Sequence, residues 1–169
     1  IADGGGLVMV RCGAYSSPGT LTRVNDTNGA ASMTLRCPVN YLQYAASGAP
    51  NVYSDTVGFG GMANVTSTLR HAWFLALTAG FAVSDSPWNK GWSATDEARF
   101  RKVSDFHYQF APYMHSAAVD SHRDGYPHTM TPLPVAFPDD ASTHDLASST
   151  NRQFEWMIGP SLLAAPLLH

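Results

Sequence analysis

Short apolar runs alternate with longer stretches of helical periodicity through residues 7–122, and this alternation restricts the fold more than any other feature of the chain. The apolar runs lie at residues 7–10 and 80–83, a further short strand-like segment lies at residues 51–55, and segments rich in glycine, serine or proline separate these from the helical stretches. An alternation of strand and helix is typical of βα units, which form a parallel sheet covered by helices. We therefore expect an α/β fold.

The same patterns predict the individual elements. The run at residues 7–10 is expected to be a buried strand, residues 13–29 a loop, and residues 51–55 and 80–83 two more strands. Helices are expected at residues 30–46, 66–79 and 93–122. Thr66 or Ser67 is the expected cap of the second helix, and Gly125 is the expected end of the third. The aromatic residues expected in the core are Trp73, Phe74 and Phe81.

After Gly125 the sequence changes character, because prolines at positions 127, 132, 134 and 138 punctuate extended apolar pieces. Proline is tolerated in edge strands and at the rims of sheets. We expect this part to be β-rich and place a domain boundary near Gly125. This divides the chain into residues 1–125 and 126–169.

Length, charge and composition exclude several classes of protein. The chain has 169 residues, whereas a complete (β/α)₈ barrel typically needs about 250. The net charge is −3 and no run of Lys or Arg occurs, so nucleic acid is not an expected partner. No apolar stretch of about 18 residues is present, so we expect no membrane span. The histidines show no zinc-ligand spacing, so no metal is expected, and the pairing of Cys12 with Cys37 stays open.

Cellular location is also left open. The chain begins with Ile and shows no signal-peptide pattern, so either a targeting segment was removed or the chain is an internal piece of a longer protein. Two N-glycosylation sequons, Asn25-Asp26-Thr27 and Asn64-Val65-Thr66, favour a secreted or lumenal compartment slightly over the others.

Candidate functional residues follow from the position of the expected strands. In βα repeats, such residues lie at the carboxyl ends of the strands and in the loops that follow. That rule selects Arg11, Asp26, Asp55 and the loop after Val83. Two carboxylates and an arginine suit carbohydrate chemistry, since carboxylates serve as acid, base or nucleophile and also bind sugar hydroxyls. The alternative is that both aspartates are turn residues.

Five collinear motifs resemble glycoside hydrolase family 31, the family of α-glucosidases and α-xylosidases. The family pattern F-P-D-D followed by Q-F-x-x-G-x-x-L-L-V-A-P is similar to residues 137–140, 153–154 and 159–166. The family's long-helix pattern Y-x-L-L-P-Y-L-Y resembles residues 108–115. The turn D-I-G-G-F resembles residues 55–59, the arginine of R-W resembles Arg70, and G-D-T or G-D-N resembles residues 25–27. The resemblance covers nearly all of the chain.

The resemblance implies a fold and a set of roles. Residues 1–125 would be the C-terminal part of a (β/α)₈ TIM barrel, and residues 126–169 the beginning of a β-sandwich domain. Asp26 would be the general acid/base of a retaining α-glycosidase. Arg11, Asp55 and Phe59 would contact an oligosaccharide or α-glycoside substrate. Apart from the resemblance, Trp88 and Trp92 lie in a loop, where a tryptophan can stack on a sugar face or close the rim of the barrel. The resemblance implies no cofactor, and the rest of the parent barrel would be a structural partner.

Departures from the family pattern motivate a second hypothesis. The family's nucleophile lies on an earlier strand than any in this chain, and its R-x-H pair after the last barrel strand is replaced by a shorter loop without histidine, residues 84–88. The position of W-x-G-D reads Arg23-Val24-Asn25-Asp26. The alternative is therefore a non-catalytic carbohydrate-binding or scaffold relative. As a piece of a barrel, the chain alone is expected to be inactive and prone to association.

Overall fold

The computed structural model describes residues 8–11, 20–24, 37–53, 56–58, 61–62, 64–144 and 154–167. Its elements form a mixed α/β structure, as the sequence predicts. In chain order they are β1 (Met9–Val10), β2 (Leu21–Arg23), α1 (Cys37–Ala46), β3 (Val52–Tyr53), α2 (Val65–Ala76), α3 (Ala94–Asp124), β4 (Thr131–Pro132), α4 (Leu133–Ala136), β5 (Trp156–Ile158) and β6 (Leu162–Ala164). Short 3₁₀ helices occupy Pro87–Lys90 and Ala141–Thr143.

The first three strands form a parallel sheet in the order β1-β2-β3. Met9 pairs with Leu21, and Thr22 pairs with Val52. Farther along the chain, a parallel bridge joins Val57 to Val83. Helix α1 lies between β2 and β3 in the sequence, and α2 lies between the two residues of the bridge. Because β1, β2 and β3 are parallel, the carboxyl ends of these three strands point in one direction along the sheet.

Two expectations about the start of the chain are wrong. The first strand is present, but its side chains are not buried: Val8 is 46% exposed and Met9 55% exposed. Strand β1 pairs with β2 on one side and lies at the edge of the sheet in the part of the chain that the structure describes. Residues 13–29 are also not entirely loop, since β2 lies within them. A three-residue strand between polar loops has too few positions to show a period, and its pairing with β1 and β3 forms it instead.

Helix α2 is present, but sequence reasoning misassigned its cap and its buried face. Asn64, rather than Thr66 or Ser67, is the cap, and its side-chain oxygen accepts a hydrogen bond from the Ser67 backbone N–H. The buried residues are Thr68, His71, Ala72, Phe74, Leu75 and Ala76. Trp73 is 42% exposed, so its assignment to the core is wrong. Phe74 is buried as predicted, whereas Phe81 is half-buried.

Helix α3 closely follows its sequence prediction. The Ser93 hydroxyl accepts a hydrogen bond from the Asp96 N–H at the start, and Gly125 ends the helix with a left-handed φ of 79°. Its buried residues lie three, four or seven positions apart, on one face of the helix, and comprise Phe100, Val103, Phe110, Met114, Ala117 and Ser121. Pro112 lies inside the helix without ending it, and its exposed position lets water satisfy the carbonyl group that loses its N–H partner.

The region after Gly125 contains an antiparallel sheet in the order β4-β5-β6, so the prediction of β structure there is confirmed. Trp156 on β5 is fully buried, and its ring meets Phe74 of α2 edge-on at a centroid distance of 5.9 Å. Phe74 also stacks on Tyr41 of α1 at 5.5 Å. One hydrophobic core therefore includes both helices and the antiparallel sheet. The domain boundary near Gly125 stays a prediction.

Candidate functional site

The candidate site lies at the carboxyl ends of the parallel strands. Arg11 follows β1 directly and is exposed. Polar residues at the carboxyl ends of parallel strands converge on one edge of a sheet, which is where α/β proteins bind their ligands. Among the predicted site residues, Arg11 lies at the described part of this edge of the sheet. Its guanidinium group carries a permanent positive charge.

Three of the predicted site residues, Asp26, Asp55 and Phe59, lie outside the described residues. Their neighbours along the chain are described. Val24 is buried, and its N–H donates to the Tyr53 carbonyl at 3.0 Å, which continues the pairing of β2 with β3. The chain therefore reaches the carboxyl edge of the sheet just before Asp26 in the sequence.

Hydrogen bonds to Val57 fix the start of the loop that follows Val83. The Val57 N–H donates to the Ala82 carbonyl at 2.8 Å, and the Ser84 N–H donates to the Val57 carbonyl at 2.9 Å. The Ser84 hydroxyl also donates to the Val57 carbonyl, at 3.2 Å. These three bonds fix where the chain leaves the bridge, so the residues after Ser84 begin at the carboxyl end of that segment.

Within this loop, which we call the 84–91 loop, Asp85 forms an ion pair with Lys90. The Lys90 Nζ lies 2.6 Å from one carboxylate oxygen of Asp85, and the Ser86 N–H donates to the other at 2.8 Å. The hydrogen bond from Lys90 is the main cause of a pKa for Asp85 below its ordinary value, and the bond from the Ser86 N–H adds to the effect. The pair closes the loop across the 3₁₀ helix Pro87–Lys90. Sequence reasoning did not single out either residue.

The two tryptophans of this region have different environments. Trp88, in the 3₁₀ helix of the 84–91 loop, is 65% exposed. Trp92 is half-buried, donates from Nε1 to the Met62 carbonyl at 3.0 Å and meets Phe100 edge-on at 6.1 Å. Trp92 therefore anchors the end of the loop to the core. Trp88, by contrast, presents an aromatic face to solvent, which is unusual for so large an apolar side chain.

Two other chemistry-bearing side chains in the described part, His107 and Asp140, have structural partners. His107 contacts the Ala76 carbonyl through Nδ1 at 3.0 Å and packs against Phe81, so it joins α3 to the end of α2. Asp140 caps the 3₁₀ helix Ala141–Thr143 by accepting from the Ser142 N–H. Across the described residues, no group of three or more His, Cys, Asp and Glu side chains could hold a metal ion. None of the described helices has the length and apolar character needed to cross a membrane.

A parallel sheet in which helix α1 crosses from β2 to β3 places the chain among α/β proteins, a class whose members commonly bind ligands at the carboxyl edge of the sheet. No family model matches the chain. A human protein described as probable maltase-glucoamylase 2 is 27% identical to it over 154 residues, which is 86% of this chain and 6% of the human protein.

Solved structures show the same fold. A glycoside hydrolase family 31 sulfoquinovosidase from E. rectale, in complex with an aza-sugar inhibitor, matches 88% of this chain with a TM-score of 0.67 and 21% identity. A mutant of the protein Kfla1895 matches 89% with a TM-score of 0.70 and 17% identity. In each case the match covers 23% of the solved chain.

These similarities confirm the resemblance to glycoside hydrolase family 31 that the motifs indicate. The chain is similar to one part of the much longer proteins of that family, and it is a relative of glycoside hydrolases.

Proposed function

We propose that this chain contributes one side of the active site of a retaining α-glycosidase. In this proposal Asp26 is the general acid/base, and the nucleophilic carboxylate belongs to a part of the protein that precedes Ile1. Arg11, Asp55, Phe59 and Trp88 contact the sugar. The substrate is an oligosaccharide or another α-glycoside, and an α-glucoside is the first one to test because of the maltase-glucoamylase named above.

The observation that carries the proposal is the parallel register of β1, β2 and β3. Neighbouring strands in a sheet lie about 4.8 Å apart. Arg11 follows β1 directly, Asp26 comes three positions after Arg23, and Asp55 comes two positions after Tyr53. Three charged residues thus follow three adjacent parallel strands within one to three positions of the strand ends, and this supports a common site at that edge of the sheet.

The proposed residues divide the chemistry of glycoside cleavage. The carboxyl group of Asp26 would protonate the departing glycosidic oxygen while the missing carboxylate attacks the anomeric carbon. Asp26, then ionised, would remove a proton from the water that hydrolyses the glycosyl-enzyme. In retaining enzymes the two carboxyl groups are about 5–5.5 Å apart. The guanidinium group of Arg11 would hydrogen-bond to sugar hydroxyls and favour the ionised state of a neighbouring carboxylate.

The 84–91 loop would add a wall to this hollow. Trp88 can pack its exposed ring against the apolar face of a sugar. The Asp85–Lys90 pair would hold the loop in shape, since its carboxylate already accepts from Lys90 and from the Ser86 N–H. In this arrangement the aromatic ring, rather than the ion pair, supplies most of the contact area.

The experiment is the Asp26→Asn substitution in the complete protein that contains this chain, assayed on an aryl α-glucoside. We expect kcat to fall by about 10²–10⁴-fold, the usual contribution of a general acid/base. Asp139→Asn is the matched control, because Asp139 is exposed and lies in the turn before Asp140. Hydrolysis by the Asp26→Asn variant at a rate near that of the wild type would refute the assignment.

A second candidate function is carbohydrate binding without catalysis. The specific observation in its favour is the 84–91 loop, where an aspartate already paired with a lysine stands in a region for which the family pattern has a histidine. Calorimetric titration of the complete protein with an α-glucoside distinguishes the two. Binding without turnover, unchanged by Asp26→Asn but weakened by Trp88→Ala, would favour the binding protein over the enzyme.

A further inference from the structure

We propose that Asn64 is an acceptor site for an N-linked glycan. Asn64-Val65-Thr66 has the sequence of an acceptor site, asparagine followed at the second position by threonine with no intervening proline. Asn64 and Thr66 are both exposed, and they lie at the N-terminal end of α2. The inference is independent of the proposed glycosidase activity.

The two polar atoms of the Asn64 side chain differ in their hydrogen bonds. Oδ1 accepts a hydrogen bond from the Ser67 N–H at 2.9 Å and so caps α2. Nδ2, the atom that carries a glycan, makes no hydrogen bond within the part of the chain that the structure describes. The hydroxyl of Thr66, which the modifying enzyme must recognise, likewise has no partner among the described residues.

The cap therefore remains possible after modification. Glycosylation replaces one hydrogen of Nδ2 and leaves the amide carbonyl as an acceptor. The Asn64 backbone carbonyl is also unaffected, and it continues to accept from the N–H of Thr68 at 3.0 Å and from its hydroxyl at 2.8 Å. The buried face of α2 begins at Thr68, so a glycan on Asn64 would leave the helix from its exposed end.

The reaction is a group transfer from an oligosaccharide linked to a lipid through a pyrophosphate. A bond forms between Nδ2 of Asn64 and the anomeric carbon of the first sugar, and the bond between that carbon and the pyrophosphate oxygen breaks. Nδ2 loses one proton to a base of the transferase, and the lipid pyrophosphate leaves with the bonding electrons. No change of oxidation state occurs.

The test is expression of the complete protein that contains this chain, behind a secretory leader in a eukaryotic cell, with the peptide containing Asn64 mapped by mass spectrometry in the total cell extract. We expect that peptide to carry a glycan in the wild type and in Thr66→Ser, and to lose it completely in Thr66→Ala. Asn64→Asp removes the acceptor nitrogen but keeps a side-chain oxygen that can cap the helix. Recovery of only unmodified Asn64 in the wild type would overturn the proposal.

A second measurement tests whether the folded chain accommodates the glycan. The purified glycoprotein is melted before and after enzymatic removal of the glycan, a treatment that leaves aspartate at position 64. Because aspartate also caps helices, we expect the same melting temperature in both states and in the Asn64→Asp variant. A lower melting temperature for the glycosylated form than for both others would contradict the geometry on which the proposal rests.

Discussion

Phe74 of α2 packs between α1 and strand β5 of the antiparallel sheet, and its truncation gives a sharp prediction. Its side chain is 1% exposed, stacks on Tyr41 of α1 and meets Trp156 of β5 edge-on. Phe74→Ala removes a fully buried ring and leaves a cavity, which typically costs about 3–5 kcal/mol. Since a domain of this size is stable by only about 5–15 kcal/mol, the variant should lose much of its free energy of unfolding.

Two further variants make the prediction specific. Phe74→Leu keeps most of the buried apolar surface but loses both ring pairs, each worth about 0.5–1.5 kcal/mol, so we expect a loss of about 1–3 kcal/mol. Phe137→Ala is the matched control, because Phe137 is 45% exposed and its truncation should cost less than about 1 kcal/mol. Should Phe74→Ala fail to fold, Phe74→Leu still tests the reasoning.

The assay is urea unfolding followed by tryptophan fluorescence. The midpoint should shift in the order Phe74→Ala, Phe74→Leu, Phe137→Ala, and an unchanged slope would show that the loss lies in stability rather than in the extent of unfolding. If Phe74→Ala and Phe137→Ala shifted the midpoint equally, the packing of Phe74 between Tyr41 and Trp156 would be refuted.

Three further predictions concern local features. Gly80→Ala should lower the free energy of unfolding by about 1–3 kcal/mol in calorimetry, because a Cβ there would lie 2.9 Å from Cγ of Tyr53; an unchanged melting temperature would contradict this contact. Ser93→Ala should cost about 1 kcal/mol and Ser93→Asn much less, since the Ser93 hydroxyl caps α3 and also donates to the Asp96 carboxylate, as an asparagine amide can; equal effects in urea unfolding would argue against capping. The lowered pKa of Asp85 stabilises the folded state above the ordinary aspartate pKa, and this contribution is lost as the pH falls below about 4. Asp85→Asn should therefore reduce stability at neutral pH and flatten its decline in acid, and parallel acid unfolding curves for variant and wild type would refute this.

Local signals in the sequence are sufficient to predict an element where that element is long and its ends carry capping residues. Helix α3 combines a three-and-four spacing of buried residues with Ser93 at its start and Gly125 at its end, and all three signals agree. The parallel sheet could also be predicted in outline, because short strand-like segments and helical stretches alternate over a long part of the chain.

The sequence-based predictions are wrong where contacts between residues distant in the sequence determine the structure. Strand β2 has three residues, and its pairing on both sides forms it, rather than any period in its sequence. Trp73 is a large apolar residue, but it packs beside Phe106 of α3 at a centroid distance of 5.5 Å and stays 42% exposed. The buried face of α2 includes the next residue, Phe74, which meets Tyr41 of α1 and Trp156 of β5. The cap at Asn64 was missed because three consecutive polar residues, Thr66, Ser67 and Thr68, follow in the same turn.

The candidate site was predictable only in part. Arg11 could be selected because it ends an apolar run, and the structure describes it at the end of β1. The Asp85–Lys90 pair could not be found from its spacing, since two charges five positions apart in a loop meet here only because the 3₁₀ helix Pro87–Lys90 turns the chain back. A signal was available in Pro87, which favours the first turn of a helix.

The most direct test of the account is the effect of the leaving group on hydrolysis by the Asp26→Ala variant of the complete protein. An acid catalyst matters most when the departing alcohol is a poor leaving group. We predict that Asp26→Ala loses activity on an alkyl α-glucoside by at least about tenfold more than on a dinitrophenyl α-glucoside, where protonation is not needed. Equal losses on the two substrates would contradict the assignment of Asp26 as the proton donor.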